Sequence, residues 1–130
     1  MTTPNNGPLV YSCSGCSNVA QMANTLAVRL DRAGLAEMSC IAGVGGRVEA
    51  LVRKANSGRR ILAIDGCPLH CARACLAQHG VSPDVHVTLS RYGLRKRYRQ
   101  DCSEEEVGAL FEDMKAIIAS DRMRPRPLAC

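Results

Sequence analysis

The chain has 130 residues and a mass of 14.0 kDa; with 46% hydrophobic and 22% charged residues it fits one globular domain, able to bury roughly two-thirds of its unfolded surface without a disulfide or metal. Aromatic residues make up only 3% and Trp is absent, which excludes an aromatic base-stacking platform, and no apolar run approaches the roughly 18 to 20 residues that span a bilayer. The net charge of +5 comes from two stretches, 91–99 and 122–126, and the remainder carries more acidic than basic residues.

After a polar start containing Pro and Gly, residues 9–11 read as a short apolar strand. A helix follows over 17–32, with Val19, Met22, Ala23, Leu26 and Leu30 at helical spacing, and Gly34 ends it. A second strand fits 36–41. A helix over 47–55 carries Val48, Leu51, Val52 and Ala55 on one face and is closed by Gly58. Residues 61–64 form a fully apolar third strand; Pro68 suits the first turn of a helix running to about residue 79, with Cys67 at its N-cap and Gly80 at its end. Residues 85–89 alternate as a fourth strand. Ser103 with Glu106 then forms a capping box opening a helix through Val107, Leu110, Phe111, Met114, Ile117 and Ile118.

Strands alternating with helices imply a single α/β domain with a mostly parallel four-stranded sheet and helices on both faces, a three-layer arrangement of the flavodoxin or Rossmann kind. The domain is expected over 8–120, with flexible ends at 1–7 and 121–130, where Pro125 and Pro127 stand among arginines. Residues 1–10 lack the charged start and apolar centre of a signal peptide, so the cytoplasm is the expected compartment.

Thiols stay reduced there, and eight cysteines read first as metal ligands or redox groups. In an open parallel sheet, ligands gather beyond the carboxyl ends of the strands. Cys13 and Cys16, in YSCSGCS, follow the first strand; Cys40 ends the second; Cys67, in DGCPLHC, follows the third, with Cys71 one helical turn on. Gly15 lets both sulfurs of the Cys-x-x-Cys turn toward one ion, and a helix N-terminus behind Cys67 favours thiolate. Cys13, Cys16, Cys67 and Cys71 are therefore the candidate ligands, and four thiolates about 2.3 Å from the metal are what zinc takes in a closed site. Cys40 and Cys75 are further candidates, either as ligands of a larger centre such as an iron–sulfur cluster or as buried small hydrophobes. Cys102 and Cys130 read as structural or incidental.

None of the three histidines has ligand spacing with another. His70 is turned about 100° from Cys71 around the expected helix and reads as exposed, while His79 and His86 read as structural. Asp65 and Gly66 form the strand-to-helix turn, glycine for its backbone freedom and aspartate as an acceptor of N–H bonds near the sulfurs. The stretch GVGGRV at 43–48 misses the dinucleotide pattern because Val48 stands where the third glycine belongs; bare N–H groups serving thiolates or a small anion fit it better. The basic run with Tyr92 and Tyr98 interleaved suits a phosphate backbone or an acidic protein. With no nucleic-acid module beside it, the plain reading is a solvated strand end and turn.

Three motifs occur in order: CSGCS at 13–17, SCIAGVGG at 39–46 and DGCPLHCARAC at 65–75. In these the chain resembles the bacterial and archaeal family of DGC-domain proteins, named for an Asp-Gly-Cys motif, over roughly residues 8–118. The resemblance implies a small α/β domain whose grouped cysteines bind zinc, and it implies no defined reaction. A weaker likeness, to the small subunits of nickel–iron hydrogenases, rests on Cys13, Cys16 and the Gly66-Cys67-Pro68 turn and implies an iron–sulfur cluster.

Three functions are consistent with these residues. The first is a protein that binds zinc through Cys13, Cys16, Cys67 and Cys71 and senses, stores or delivers it. The second is a thiol or persulfide redox enzyme in which Cys13 attacks and Cys16 resolves. The third is an iron–sulfur electron carrier. The first accounts for the most cysteines, and no His or carboxylate stands at a recognisable catalytic spacing from a nucleophile. A metal ion is the expected partner; nucleic acid and membrane are not expected.

Overall fold

The computed structural model describes residues 7–127, and period-two alternation along its strands divides the core into two layers. In β1 (Leu9–Ser12) Val10 faces one side while Leu9 and Tyr11 face the other. In β3 (Ile61–Asp65) Leu62 and Ile64 share the first side, and Ile61 and Ala63 the second. Both strands are buried along their whole length, as parallel strands covered on two faces are. β2 (Glu37–Met38) and β4 (Val85–Thr88) complete an all-parallel four-stranded sheet in the order β2-β1-β3-β4.

Two helices cover the first face. α1 (Asn18–Arg32) presents Met22, Ala23, Leu26 and Leu30, and α5 (Glu104–Ile118) presents Val107, Leu110 and Met114. α2 (Ile41–Gly45), α3 (Glu49–Ala55) and α4 (Cys71–Ala77) cover the second face with Val44, Ala55 and Leu76. The three-layer α/β fold expected from the βα alternation is therefore the observed one. The N-terminus of α1 is capped by Ser17, and Ser103 with Glu106 forms the expected capping box on α5. No helix among the described residues is long and apolar enough to cross a membrane.

Several boundaries differ from expectation. The second strand keeps only Glu37–Met38, and the glycine-rich stretch expected as a loop coils into α2, with Cys40 Sγ accepting the Gly43 N–H at 3.3 Å as its cap. The helix expected from Pro68 with Cys67 at its N-cap begins instead at Cys71 behind His70, whose φ of 54 is left-handed. The cause is the buried Asp65 carboxylate, which accepts the N–H groups of Ala72 at 2.8 Å and Arg73 at 3.2 Å and so fixes where the first helical turn forms. In the segment from Asp121, expected to be loosely attached, Met123 is buried and the other described residues, 121–122 and 124–127, are exposed. Asp121–Met123 forms a 3-10 turn, Met123 is 2% exposed in the first core layer, and Arg126 pairs with Asp84. Residues 1–6 of the expected flexible start and 128–130, including Cys130, lie outside the described residues.

The chain leaves β1 toward β2 on one side and reaches β3 on the other, so the carboxyl ends of β1 and β3 flank the point where the winding reverses. Gly66 seals that point. A Cβ built on it would stand 2.6 Å from Val19 C and 2.7 Å from Val19 O and Ala20 N, all backbone atoms of α1. Gly66→Ala is therefore expected to lower unfolding free energy by about 1–3 kcal/mol in a urea titration, with α1 pushed off β3; wild-type stability would show that this contact is not tight.

Candidate metal centre

The cysteine rim is assembled from the two strand ends beside the reversal. Beyond β1 the Cys13 N–H still donates to Ile64 O at 3.0 Å, which keeps Cys13 beside β3 and places its sulfur 3.2 Å from the donating Gly66 N–H. Gly15 O accepts from Gln21 Nε2 at 2.6 Å, folding the Cys-x-x-Cys loop back onto α1 and leaving Cys16 exposed. From the other strand, Cys67 sits half-buried in the turn after β3 and Cys71 stands exposed at the first residue of α4.

Cys13, Cys16, Cys67 and Cys71 line one cavity of about 200 Å³. The expected quartet thus shares a wall, although Cys67 and Cys71 arrive there across a turn and not along one helical face. Cys40 and Cys75 do not line this cavity. Cys40 caps α2, and Cys75 packs against the second core layer, where its sulfur would stand 3.0 Å from a Cβ on Gly45. Cys102 is half-buried, its thiol donating to Asn18 O at 3.6 Å. Among the described residues no three His, Cys, Asp or Glu side chains converge on one point as an ion requires. The donor chemistry suits a thiophilic ion, whereas the arrangement of the sulfurs is that of an open, unclosed rim.

Burial pushes the Cys13 thiol up from 9.0 to about 11; the Gly66 N–H opposes that shift, and the Asp65 carboxylate with the Cys71 and Cys67 sulfurs adds to it. Burial likewise raises Cys75. Behind the sulfurs, Asp65 is fully buried and meets His86 Nε2 at 2.8 Å in addition to its two helix amides. His70 Nε2 lies 3.0 Å from Thr88 Oγ1 and its Nδ1 lies 2.8 Å from an Arg73 guanidinium nitrogen. His86 and His79 thus take structural places, His79 Nε2 lying 2.8 Å from Val44 O, whereas His70, expected to be exposed, is half-buried against Thr88 and the His86 ring; none of the three lines the cavity.

The thiols lie under a segment that the reading of the sequence did not bring to them. Residues 94–103 cross back over the strand ends, and Asn18 fastens them: its Nδ2 donates to Arg95 O at 2.9 Å, its Oδ1 accepts the Arg97 N–H at 2.6 Å, and its own N–H donates to Arg97 O at 3.0 Å. Tyr98 forms an antiparallel bridge with Ser17. Because extended residues alternate sides, Lys96 and Tyr98 turn into the thiol cavity, while Arg95 and Arg97 line a separate one. The Lys96 ammonium donates to Cys67 Sγ at 3.6 Å and lies 5.4 Å from the centre of the Tyr98 ring. The run expected as a solvated strand end and turn is indeed exposed over residues 95–100, but it is fastened down as a strap; its signal in the sequence was the alternation Arg95-Lys96-Arg97-Tyr98 opposite a polar residue in the first turn of a helix.

A thiol held protonated reacts slowly, because the thiolate is the nucleophile. In metal-free protein, alkylation of Cys13 by iodoacetamide is expected to stay slow through pH 9 and to reach half its plateau rate near pH 11. Site-resolved mass spectrometry checks this, and a midpoint at or below 9.0 would contradict the burial seen here.

Comparison with known proteins adds to this geometry. The family model of the DGC domain matches residues 9–114. The chain is 64% identical over 111 residues to the anaerobic and virulence modulator AnvM of Pseudomonas aeruginosa, covering 85% of each protein. No solved structure matches it. A match running from the first strand into the last helix, and identity with a relative at this level over most of both chains, establish that the chain belongs to the DGC-domain family.

Proposed function

We propose that this protein binds one zinc ion through Cys13, Cys16, Cys67 and Cys71 and passes it on, acting in metal sensing or delivery. The observation that carries the reading is the shared cavity: four sulfurs from two distant chain segments line one wall, and four thiolates are a donor set suited to zinc. Side-chain rotation about that wall is what closes the ring on the ion. Cys13 gives up its proton in doing so, which makes uptake pH-dependent.

Exchange suits the site better than permanent structure. A domain of this size buries enough surface to fold without an ion, and Cys16 and Cys71 are open to solvent, where a competing ligand reaches them. A relative named as an anaerobic and virulence modulator fits a protein whose metal occupancy is read by others. A thiol enzyme with Cys13 as attacker is disfavoured by the burial that keeps Cys13 protonated. An iron–sulfur cluster is the second reading, favoured by the Gly66 N–H directed at Cys13 Sγ, a contact that cluster sulfurs accept.

Protein purified without oxygen is expected to be colourless and to carry about one zinc per chain by elemental analysis. Cys67→Ser should lose that zinc, whereas Cys75→Ser should keep it, since Cys75 lies outside the cavity. Brown protein with iron and sulfide would replace zinc by the cluster reading, and full zinc in the Cys67→Ser variant would remove Cys67 from the ligands.

A further inference from the structure

The charges around the strap are distributed unevenly. Among the described residues nine of the seventeen lysines and arginines hold an ion pair with a carboxylate, yet Arg91, Arg95, Lys96, Arg97 and Arg99 hold none there. On the side away from the thiols the imbalance is met nearby, because Asp101 and Glu106 line the same cavity as Arg95 and Arg97. On the thiol side it is not met. Lys96 shares its cavity with the four cysteines, and Arg99 shares a second hollow with Cys16 and Tyr98; among the described residues no Asp or Glu lines either space. Two exposed cations therefore border the sulfurs with no acidic side chain among the described residues lining either space, while the Asp65 carboxylate lies buried behind the sulfurs, taken up by two helix amides and His86.

We propose that the strap makes the cysteine rim a docking site for a small anionic thiol, its sulfur against the rim sulfurs and its carboxylates paired with Lys96 and Arg99. The size follows from the cavity, which at about 200 Å³ lies below the range of drug-sized pockets. The carboxylates follow from the unanswered cations, which such groups pair through charge-assisted hydrogen bonds. The thiol follows from the lining, since four cysteine sulfurs present a polarizable wall against which another sulfur packs more favourably than an oxygen does. Tyr98, 61% exposed, stands at the mouth beside Cys16 and Arg99. The proposal uses the thiol rim of the zinc reading and stands without the ion.

The test therefore uses reduced, metal-free protein. Iodoacetate and iodoacetamide are nearly the same size and attack the same thiolate, so the ratio of their rates at one cysteine cancels the thiolate fraction and reports the local preference for an anion. At low salt that ratio is expected to be about fivefold higher at Cys67 and Cys16 than at Cys40, as one cation at about 4 Å in water predicts, and to fall as salt screens it. Lys96→Gln should abolish the preference at Cys67 and Arg99→Gln should reduce it at Cys16. Arg91→Gln, a change of equal charge that lines neither space, should leave both.

In a second arm, mercaptosuccinate is expected to shift the amide resonances of Lys96, Tyr98 and Cys67 saturably, 2-mercaptoethanol not at all, and succinate less. Equal reagent ratios at Cys67 and Cys40, ratios unmoved by Lys96→Gln and Arg99→Gln, or succinate acting as strongly as mercaptosuccinate would each overturn the proposal. Zinc content enters neither arm, so this proposal and the zinc assignment fail or survive separately.

Discussion

The site depends on a backbone contact that only a residue without a side chain permits. Gly66 lies against the first turn of α1 so closely that a Cβ would overlap Val19 and Ala20 main-chain atoms. The same residue donates its N–H to Cys13 Sγ and accepts the Ser90 N–H at 3.0 Å through its carbonyl. One glycine thereby joins the Cys-x-x-Cys loop, the Asp-Gly-Cys turn and the turn after β4 that leads into the strap. Moving β3 away from α1 would separate the two cysteine pairs, whatever their own rotamers.

Asp65, one position earlier, performs the complementary task. A carboxylate removed from water is stable only when its oxygens are satisfied, and this one takes two helix amides and a histidine. Those bonds fix the first turn of α4 and hence the place from which Cys71 reaches the rim. The Asp and the Gly of the motif thus act on geometry, while Cys67 and Cys71 present sulfur. The rim itself remains half open, with Cys13 and Cys67 partly covered and Cys16 and Cys71 in solvent. That division suits a ligand set in which some sulfurs anchor and others exchange.

The strap shows how charge and topology cooperate. Its arginines and lysine are consecutive in the chain, but the extended backbone fastened by Asn18 sends them to opposite sides. One side meets carboxylates of the strap and α5. The other meets thiols, so a single basic run provides both a structural clasp and a cationic border for the rim.

Much of the fold was legible because it follows from local patterning. Apolar runs at Leu9 and Ile61, helical spacing from Val19 to Leu30, and the Ser103–Glu106 box specify strands and helices through nearest-neighbour geometry alone. Alternation of these elements then leaves a parallel sheet as the arrangement that buries them, and strand ends as the place where cysteines gather. Two matters were decided by contacts between separate elements: the start of α4 was set by a carboxylate from β3, and the position of the basic strap by Asn18, some 77 residues away in sequence. The Ile41–Gly45 helix rests instead on a local cap from Cys40, a residue type that is not a usual N-cap. The anchoring of Met123 was also beyond local reading, because a lone Met among arginines gains its burial from helices and strands distant in the chain. Residue spacing thus determined which sulfurs stand at the strand ends; long-range hydrogen bonds and packing, which periodicity does not encode, decided which of them share a wall and which cations look upon them.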